Sequence, residues 1–344
     1  MKAEEVAGRV VQDGVAPACG AGCAVLQAEA VCEIGGSTHL FFDLASLTKP
    51  MTAMAVARAR IDPRSPLADL LPEARGTPSE RLPLELFLAH RAGLEDHRAL
   101  YAPLAAGHSV DLASALHAAA GARRADAPGE PPDGGFPPLY SDLGYILAGE
   151  ALARAAGLRD AGEAIAHFVL EPLGLAARAG TVRELEARGV HGPFAPTETV
   201  AWRGGRIVGA VHDENAWALT GMGGSGHAGI FATVDAVLAF GLAALQGLDD
   251  PQFAWVVRTR PGGSLRAGFD GKSIEGSSAG GRMGPRSFGH LGFTGTSLWI
   301  DPDARVVVTL MTNRVCISRT HFAIRAARPW AHDALFERAL CLRH

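Results

Sequence analysis

Lysine is almost missing from this chain. Of 32 basic residues only Lys2, Lys49 and Lys272 are lysines. Tyrosine occurs three times, at 101, 140 and 145, and asparagine twice, at 215 and 313. Each of these residues says more about its position than it would in an average chain. No apolar run is long enough to span a bilayer. The amino end, Met-Lys-Ala-Glu-Glu, has two early acids and no apolar core, so no secretory signal is expected. Excess positive charge is missing too. The formal net charge is -4, which argues against nucleic acid or an anionic membrane as partner. The five cysteines (Cys19, Cys23, Cys32, Cys316, Cys341) are an odd, scattered set, which predicts reduced thiols and a cytoplasmic address. No second Cys/His pair accompanies Cys19 and Cys23 at zinc-finger spacing, so neither a metal nor a cofactor is expected.

What is present is an ordinary globular balance, 48% hydrophobic and 20% charged, over 344 residues. That length exceeds what one compact core usually holds, so two lobes are expected. Residues 23–34 alternate loosely and 37–43 follow a Gly-Gly pair; together they predict the two strands of a hairpin. Residues 46–60 predict a helix, with Pro50 in its first turns where a missing backbone donor is tolerated. Helical periods follow over 83–91, 110–122, 142–156 and 160–171, with a Pro/Gly loop at 127–138. A Gly-rich stretch at 221–229 precedes a helix near 233–246. Strands are expected over 290–300 and 304–312, joined by Asp301-Pro302-Asp303, then a last helix over 322–341. This order predicts an α+β fold. Residues 1–60 and 220–344 would form an antiparallel sheet flanked by helices, and residues 61–219 an all-helical lobe, with the active site between them.

Three segments carry residues suited to chemistry. Ser46 and Lys49 stand i, i+3 at a predicted helix start, which puts amine and hydroxyl on one face. A serine hydroxyl is a weak nucleophile until a neighbour accepts its proton, and a helix start offers free N–H donors to a developing oxyanion. The apolar flanks Leu44, Ala45, Leu47, Pro50 and Met51 predict that Lys49 lies against a packed wall. Tyr140-Ser141-Asp142 follows the Pro/Gly loop and opens a helix, with Ser141 or Asp142 as cap. His290-Leu291-Gly292-Phe293 begins a strand interrupted by glycines.

In this order the three segments resemble the penicillin-binding-protein and class C β-lactamase superfamily of serine hydrolases. That family carries Ser-x-x-Lys, then Tyr-x-Asn, then a Lys/His-x-Gly strand. Leu88-Ala-His-Arg-Ala-Gly-Leu94, Gly226-His-Ala-Gly-Ile-Phe-Ala-Thr233 and Leu310-Met-Thr-Asn-Arg314 also look familial, so the likeness runs from about Gly22 to near His332. The resemblance implies a β-lactamase/DD-peptidase-like fold. It implies Ser46 as acylated nucleophile, Lys49 and Tyr140 as proton carriers, and the amides of Ser46 and Phe293 as oxyanion hole. Two positions depart from the pattern. Asp142 replaces Asn; beside Lys49 it would form an ion pair, hold the amine protonated and favour a Tyr140 phenolate as base. His290 and Leu291 replace the usual cation and hydroxyl, which weakens the hold on a substrate carboxylate. The expected function is hydrolysis of a small ester, amide or peptide through an acyl-enzyme. DD-peptidase or β-lactamase activity proper, or a degenerate binding protein, are the alternatives.

A metal-assisted hydrolase built on His212, Asp213 and His227, with His90 and His97, is the competing enzyme reading, although the spacing fits no tight motif. Oligomeric state has no signature in the sequence.

Overall fold

The computed structural model describes residues 1–343. Its centre is an antiparallel sheet of six strands. β1 (Cys19–Leu26) and β2 (Ala30–Gly36) form a hairpin across Gln27–Glu29. β3 (Phe42–Asp43), β4 (Ala179–Gly180) and the ribbon of β5 (Thr199–Val200) and β6 (Gly205–Arg206) lie outside that sheet. β7 (Phe231–Ala232) joins β3 to β4 in a small second sheet. β8 (Asp270–Gly271), β9 (Phe288–Leu291), β10 (Ser297–Asp301) and β11 (Val306–Thr312) complete the main one, in the order β2-β1-β11-β10-β9-β8. Its central strands therefore come from the two ends of the chain, as the sequence order predicts.

Both faces are buried, and the pleat separates them. Ala21, Cys23 and Val25 of β1 and Val306, Val308 and Leu310 of β11 face α1 (Ala3–Gln12) and the carboxy-terminal helix. Gly20, Gly22 and Val307 face the other way, toward the helix Val234–Gln246. A Cβ at Gly20 would stand 2.4 Å from Val234 and one at Gly22 2.7 Å from Leu238, so the missing side chains let that helix approach. Cys19 and Cys23 are buried in this sheet, and burial pushes both thiols well up, Cys23 to about 12. Such thiols are packing groups.

Between the sheet-forming segments helices are the commonest regular element, but β4, β5 and β6 also fall within residues 61–219, so the expected all-helical lobe is not all helical. α2 (Thr48–Arg58) is followed by α3 (Leu84–Leu88), α4 (Leu112–Ala120), α5 (Asp142–Ala155) and α6 (Ala161–Ile165). α7 (Val234–Gln246) and α8 (Ile324–Cys341) return to the sheet. All lie within or close to their expected ranges. The Pro/Gly stretch 127–138 holds no regular element.

Two expectations need correction. The hairpin lies earlier than expected, because Gly35 and Gly36 are not a turn. They end β2 where α1 crosses it; a Cβ at Gly35 would meet Glu4 N at 2.2 Å. Residues 290–300 are not one strand. β9 stops at Leu291, the chain turns through Gly292–Thr296 with Gly295 at φ +112°, and β10 runs back. α1 itself, amphipathic and capped by Glu5 on the Lys2 N–H, was not anticipated.

Candidate active site

Three elements converge on Ser46. The first is its own segment. Asp43 is buried; its carboxylate accepts the N–H of Ala45 at 2.8 Å and of His212 at 2.6 Å. Ala45 takes a left-handed conformation, φ +46°, which non-glycine residues rarely adopt. A short 3₁₀ turn, Ala45–Leu47, then leads into α2. The spacing predicts a helix start at Ser46; the structure has it in this turn, just ahead of α2.

Lys49 lies in the first turn of α2 and is fully buried. Its Nζ donates to Ser46 Oγ at 2.8 Å and to Asp142 Oδ1 at 2.7 Å. Burial works against the charged amine, but Asp142 and Tyr140 outweigh it and hold Lys49 above the ordinary lysine value. The ion pair expected between Asp142 and Lys49 is therefore present. Asp142 opens α5, and the cap before it is Ser141, whose Oγ accepts the Gly144 N–H at 3.3 Å.

Tyr140 directly precedes that cap. His90, itself left-handed at φ +60°, stacks on its ring with centroids 4.6 Å apart and accepts the Ser141 N–H at 3.0 Å. His290 stands on another side of the ring at 5.9 Å. Burial raises the Tyr140 phenol above its usual value, against the pull of the Lys49 ammonium, which lies 4.7 Å from the centre of its ring. A resting phenolate is thus disfavoured, against the expectation from Asp142. The resting site holds an ammonium, a carboxylate and a neutral phenol.

The third element is the turn between β9 and β10. Thr294 Oγ1 donates to Asp43 O at 2.7 Å and Thr296 Oγ1 to Leu44 O at 3.0 Å, so the turn is bolted to the serine segment. Gly292 fits only as glycine: a Cβ would meet Thr296 Oγ1 at 2.0 Å and Leu44 O at 2.4 Å. Phe293 projects outward, half exposed, against His212 and under Arg314. His290 is buried, its Nδ1 on Leu291 O at 2.8 Å, and burial with Lys49 nearby pushes it down to about 3, so it is neutral.

These groups open into a cleft of about 680 Å³ that Ser46, Tyr140, Asp142, Leu291, Gly292 and Phe293 all line. Its lining carries both signs of charge, from Asp142, Asp213 and Glu214 and from Arg314, Arg319, Arg325 and Arg328. Arg319 is tied to Glu198 and Glu214. Arg328 was missed in the sequence, where nothing distinguishes it from the other arginines.

The histidines of the competing metal reading are distributed otherwise. His227 Nε2 pairs with Asp213 at 2.8 Å, His212 Nε2 with Glu198 at 3.0 Å, and His90 serves Tyr140. Among the described residues no group of three or more His, Cys, Asp or Glu gathers as a metal site would require. No helix among them is long and apolar enough to cross a membrane.

The family model described as Beta-lactamase matches residues 29–325. A protein of Salmonella gallinarum, provisionally named a D-alanyl-D-alanine carboxypeptidase, is 27% identical over 203 residues, which cover 51% of this chain and 45% of the relative. The chain thus spans less than half the length of the curated relatives it matches. Among solved structures, a β-lactamase from Mycobacterium bovis is 21% identical with a TM-score of 0.60, covering 97% of this chain and 99% of its own. The D-amino acid amidase of Ochrobactrum anthropi is 18% identical with a TM-score of 0.66, covering 99% and 98%. At these identities the likeness is one of fold.

Proposed function

This chain belongs to the beta-lactamase family, and we propose that it hydrolyses a small ester or amide through an acyl-enzyme on Ser46. The observation that carries the reading is the 2.8 Å contact between Lys49 Nζ and Ser46 Oγ in an open cleft. Catalysis starts once the Lys49–Tyr140 pair has lost one proton; that proton belongs to the pair, not to either residue. Ser46 Oγ then attacks the carbonyl carbon while its proton passes to the pair. The N–H groups of Ser46 and Phe293 meet the oxyanion. The pair returns the proton to the leaving oxygen or nitrogen as its bond to carbon breaks. Water repeats the sequence, releases the acid and restores Ser46.

For the substrate, neutral acyl groups are the first reading. His290 is neutral and Leu291 offers no side-chain hydrogen bond, so the β9 strand has little hold on a carboxylate. One observation favours the second reading, DD-peptidase or β-lactamase chemistry, which the name of the Salmonella relative also suggests. Arg314, Arg325 and Arg328 line the cleft without a carboxylate partner among the described residues. Arg282 and Arg286, by contrast, pair with Glu337 and Asp303 and do not line it. A missing charged hydrogen bond to a buried carboxylate is worth roughly 1–3 kcal/mol, or ~10–100-fold. The test is kcat/KM for nitrocefin against a short-chain p-nitrophenyl ester. The ester is expected to be the faster by about that factor. Nitrocefin turnover equal to or above the ester's assigns the carboxylate grip to the arginines and overturns the neutral-acyl reading.

A further inference from the structure

The peptide group between Gly292 and Phe293 has two ends. Its N–H, from Phe293, is the expected oxyanion donor and has no hydrogen-bond partner among the described residues. Its carbonyl, from Gly292, accepts two: the Gly295 N–H at 3.1 Å and Arg328 Nη2 at 3.0 Å. The same Nη2 reaches Thr296 O at 2.9 Å, and Thr296 O also takes the Gly292 N–H at 2.8 Å. One guanidinium nitrogen therefore spans both ends of the β9–β10 turn.

We infer that Arg328 is a positioning residue of the oxyanion site, holding the Gly292–Phe293 peptide plane and polarising it so that the Phe293 N–H donates more strongly. The inference rests on the proposed acyl-enzyme reaction at Ser46. A cation on a carbonyl oxygen draws electron density toward that end of the amide and leaves the N–H at the other end more positive. Linked hydrogen bonds strengthen one another by ~10–30% per bond, and a charged donor adds to this. The oxyanion develops only in the transition state, so the gain falls on kcat.

Packing alone does not account for this side chain. Arg328 is 7% exposed, its Nε has no partner, and no carboxylate among the described residues neutralises it. Burying an unpaired cation is costly, and a neutral amide could tie the turn. The turn is, moreover, already fastened to the serine segment by Thr294 and Thr296. What Arg328 adds to those bolts is charge. It enters from α8, and among the described residues no other side chain of that helix hydrogen-bonds the turn's carbonyls.

The test begins with the wild-type protein and a fluorophosphonate. Labelling at Ser46 establishes the acyl-transfer nucleophile; its absence removes that reading and this inference with it. Arg328→Gln is then compared with wild type on a p-nitrophenyl ester, with circular dichroism to check the fold. Loss of a whole oxyanion donor costs about 10²–10³ in kcat. Weakening one is expected to cost on the order of 10–100-fold in kcat, while KM moves by less than about 3-fold. Binding of a phenylboronic acid, whose tetrahedral adduct places an oxygen where the oxyanion forms, is expected to weaken in parallel. Arg328→Lys, which keeps the cation without the fork, is expected to recover part of both, and Arg328→Met, which removes the cation, carries the test if the glutamine variant does not fold. A folded variant without the cation that keeps wild-type kcat and boronate affinity overturns the inference. So does a raised KM with unchanged kcat, which would make Arg328 a substrate anchor.

Discussion

In the proposed reaction, Asp142 sets the starting charge. Its carboxylate, 2.7 Å from Lys49, raises the ammonium's pKa and so stabilises the protonated, resting form of the site. The active form lacks that proton, so kcat/KM is expected to rise with pH on the alkaline side of neutrality. Asp142→Asn removes the anion. The Lys49 pKa then falls, the deprotonated pair becomes populated at lower pH, and the rising limb moves down by ~1 unit or more. A pH–rate profile of the variant checks this; an unmoved limb, or one moved upward, contradicts it. Ser46, Lys49, Tyr140 and Asp142 were legible because their residue types are rare or their spacing short. Asp43, His90 and Arg328 were not. Each works by reaching a backbone group far away in sequence, and no local pattern encodes that.

At the scale of elements, the site depends on close backbone approach. Gly226 lies where the loop carrying His227 crosses α5. A Cβ there would meet Tyr145 O at 2.0 Å and Gly149 Cα at 2.8 Å, while Gly226 O accepts the Thr52 hydroxyl of α2 at 2.7 Å. Gly226→Ala forces α5 and the loop apart and is expected to destabilise by about 1–3 kcal/mol, read as a lower urea midpoint. An unchanged midpoint means the loop yields freely and does not brace the site. Helices were legible at this scale because apolar residues recur within a single segment. The β9–β10 turn was not, because Gly292 and Gly295 read equally well as weak points in one strand. What makes them a turn is the grip of Thr294 and Thr296 on Asp43 and Leu44, some 250 positions earlier.

At the scale of the whole molecule, three buried histidines among the described residues are held neutral. Burial pushes His332 down to about 4, His290 to about 3 and His90 well below the usual 6.5. His332 bridges Ser278 O and Ser297 Oγ, and so ties α8 to the sheet. For each, the unfolded chain binds a proton that the folded chain refuses. Stability is therefore fully present above pH 6.5 and is lost as pH falls from there toward 4. The urea midpoint is expected to drop between pH 7 and pH 5, before the ordinary carboxylates titrate; a flat midpoint over that window contradicts it. The sheet assembled from both chain ends was legible from element order alone. We propose that it forms one lobe with residues 1–60 and 220–344, residues 61–219 the other, and the cleft the seam between them.

The central claim is that Ser46 carries the acyl group. Intact-mass measurement after brief mixing with a p-nitrophenyl ester, quenched in acid before water can complete its attack, tests it most directly. The account predicts an added acyl mass that maps to the peptide containing Ser46, and no added mass on Ser46→Ala, whose turnover falls by on the order of 10³ or more. An acyl group on another residue, or an alanine variant that turns over near the wild-type rate, would contradict it.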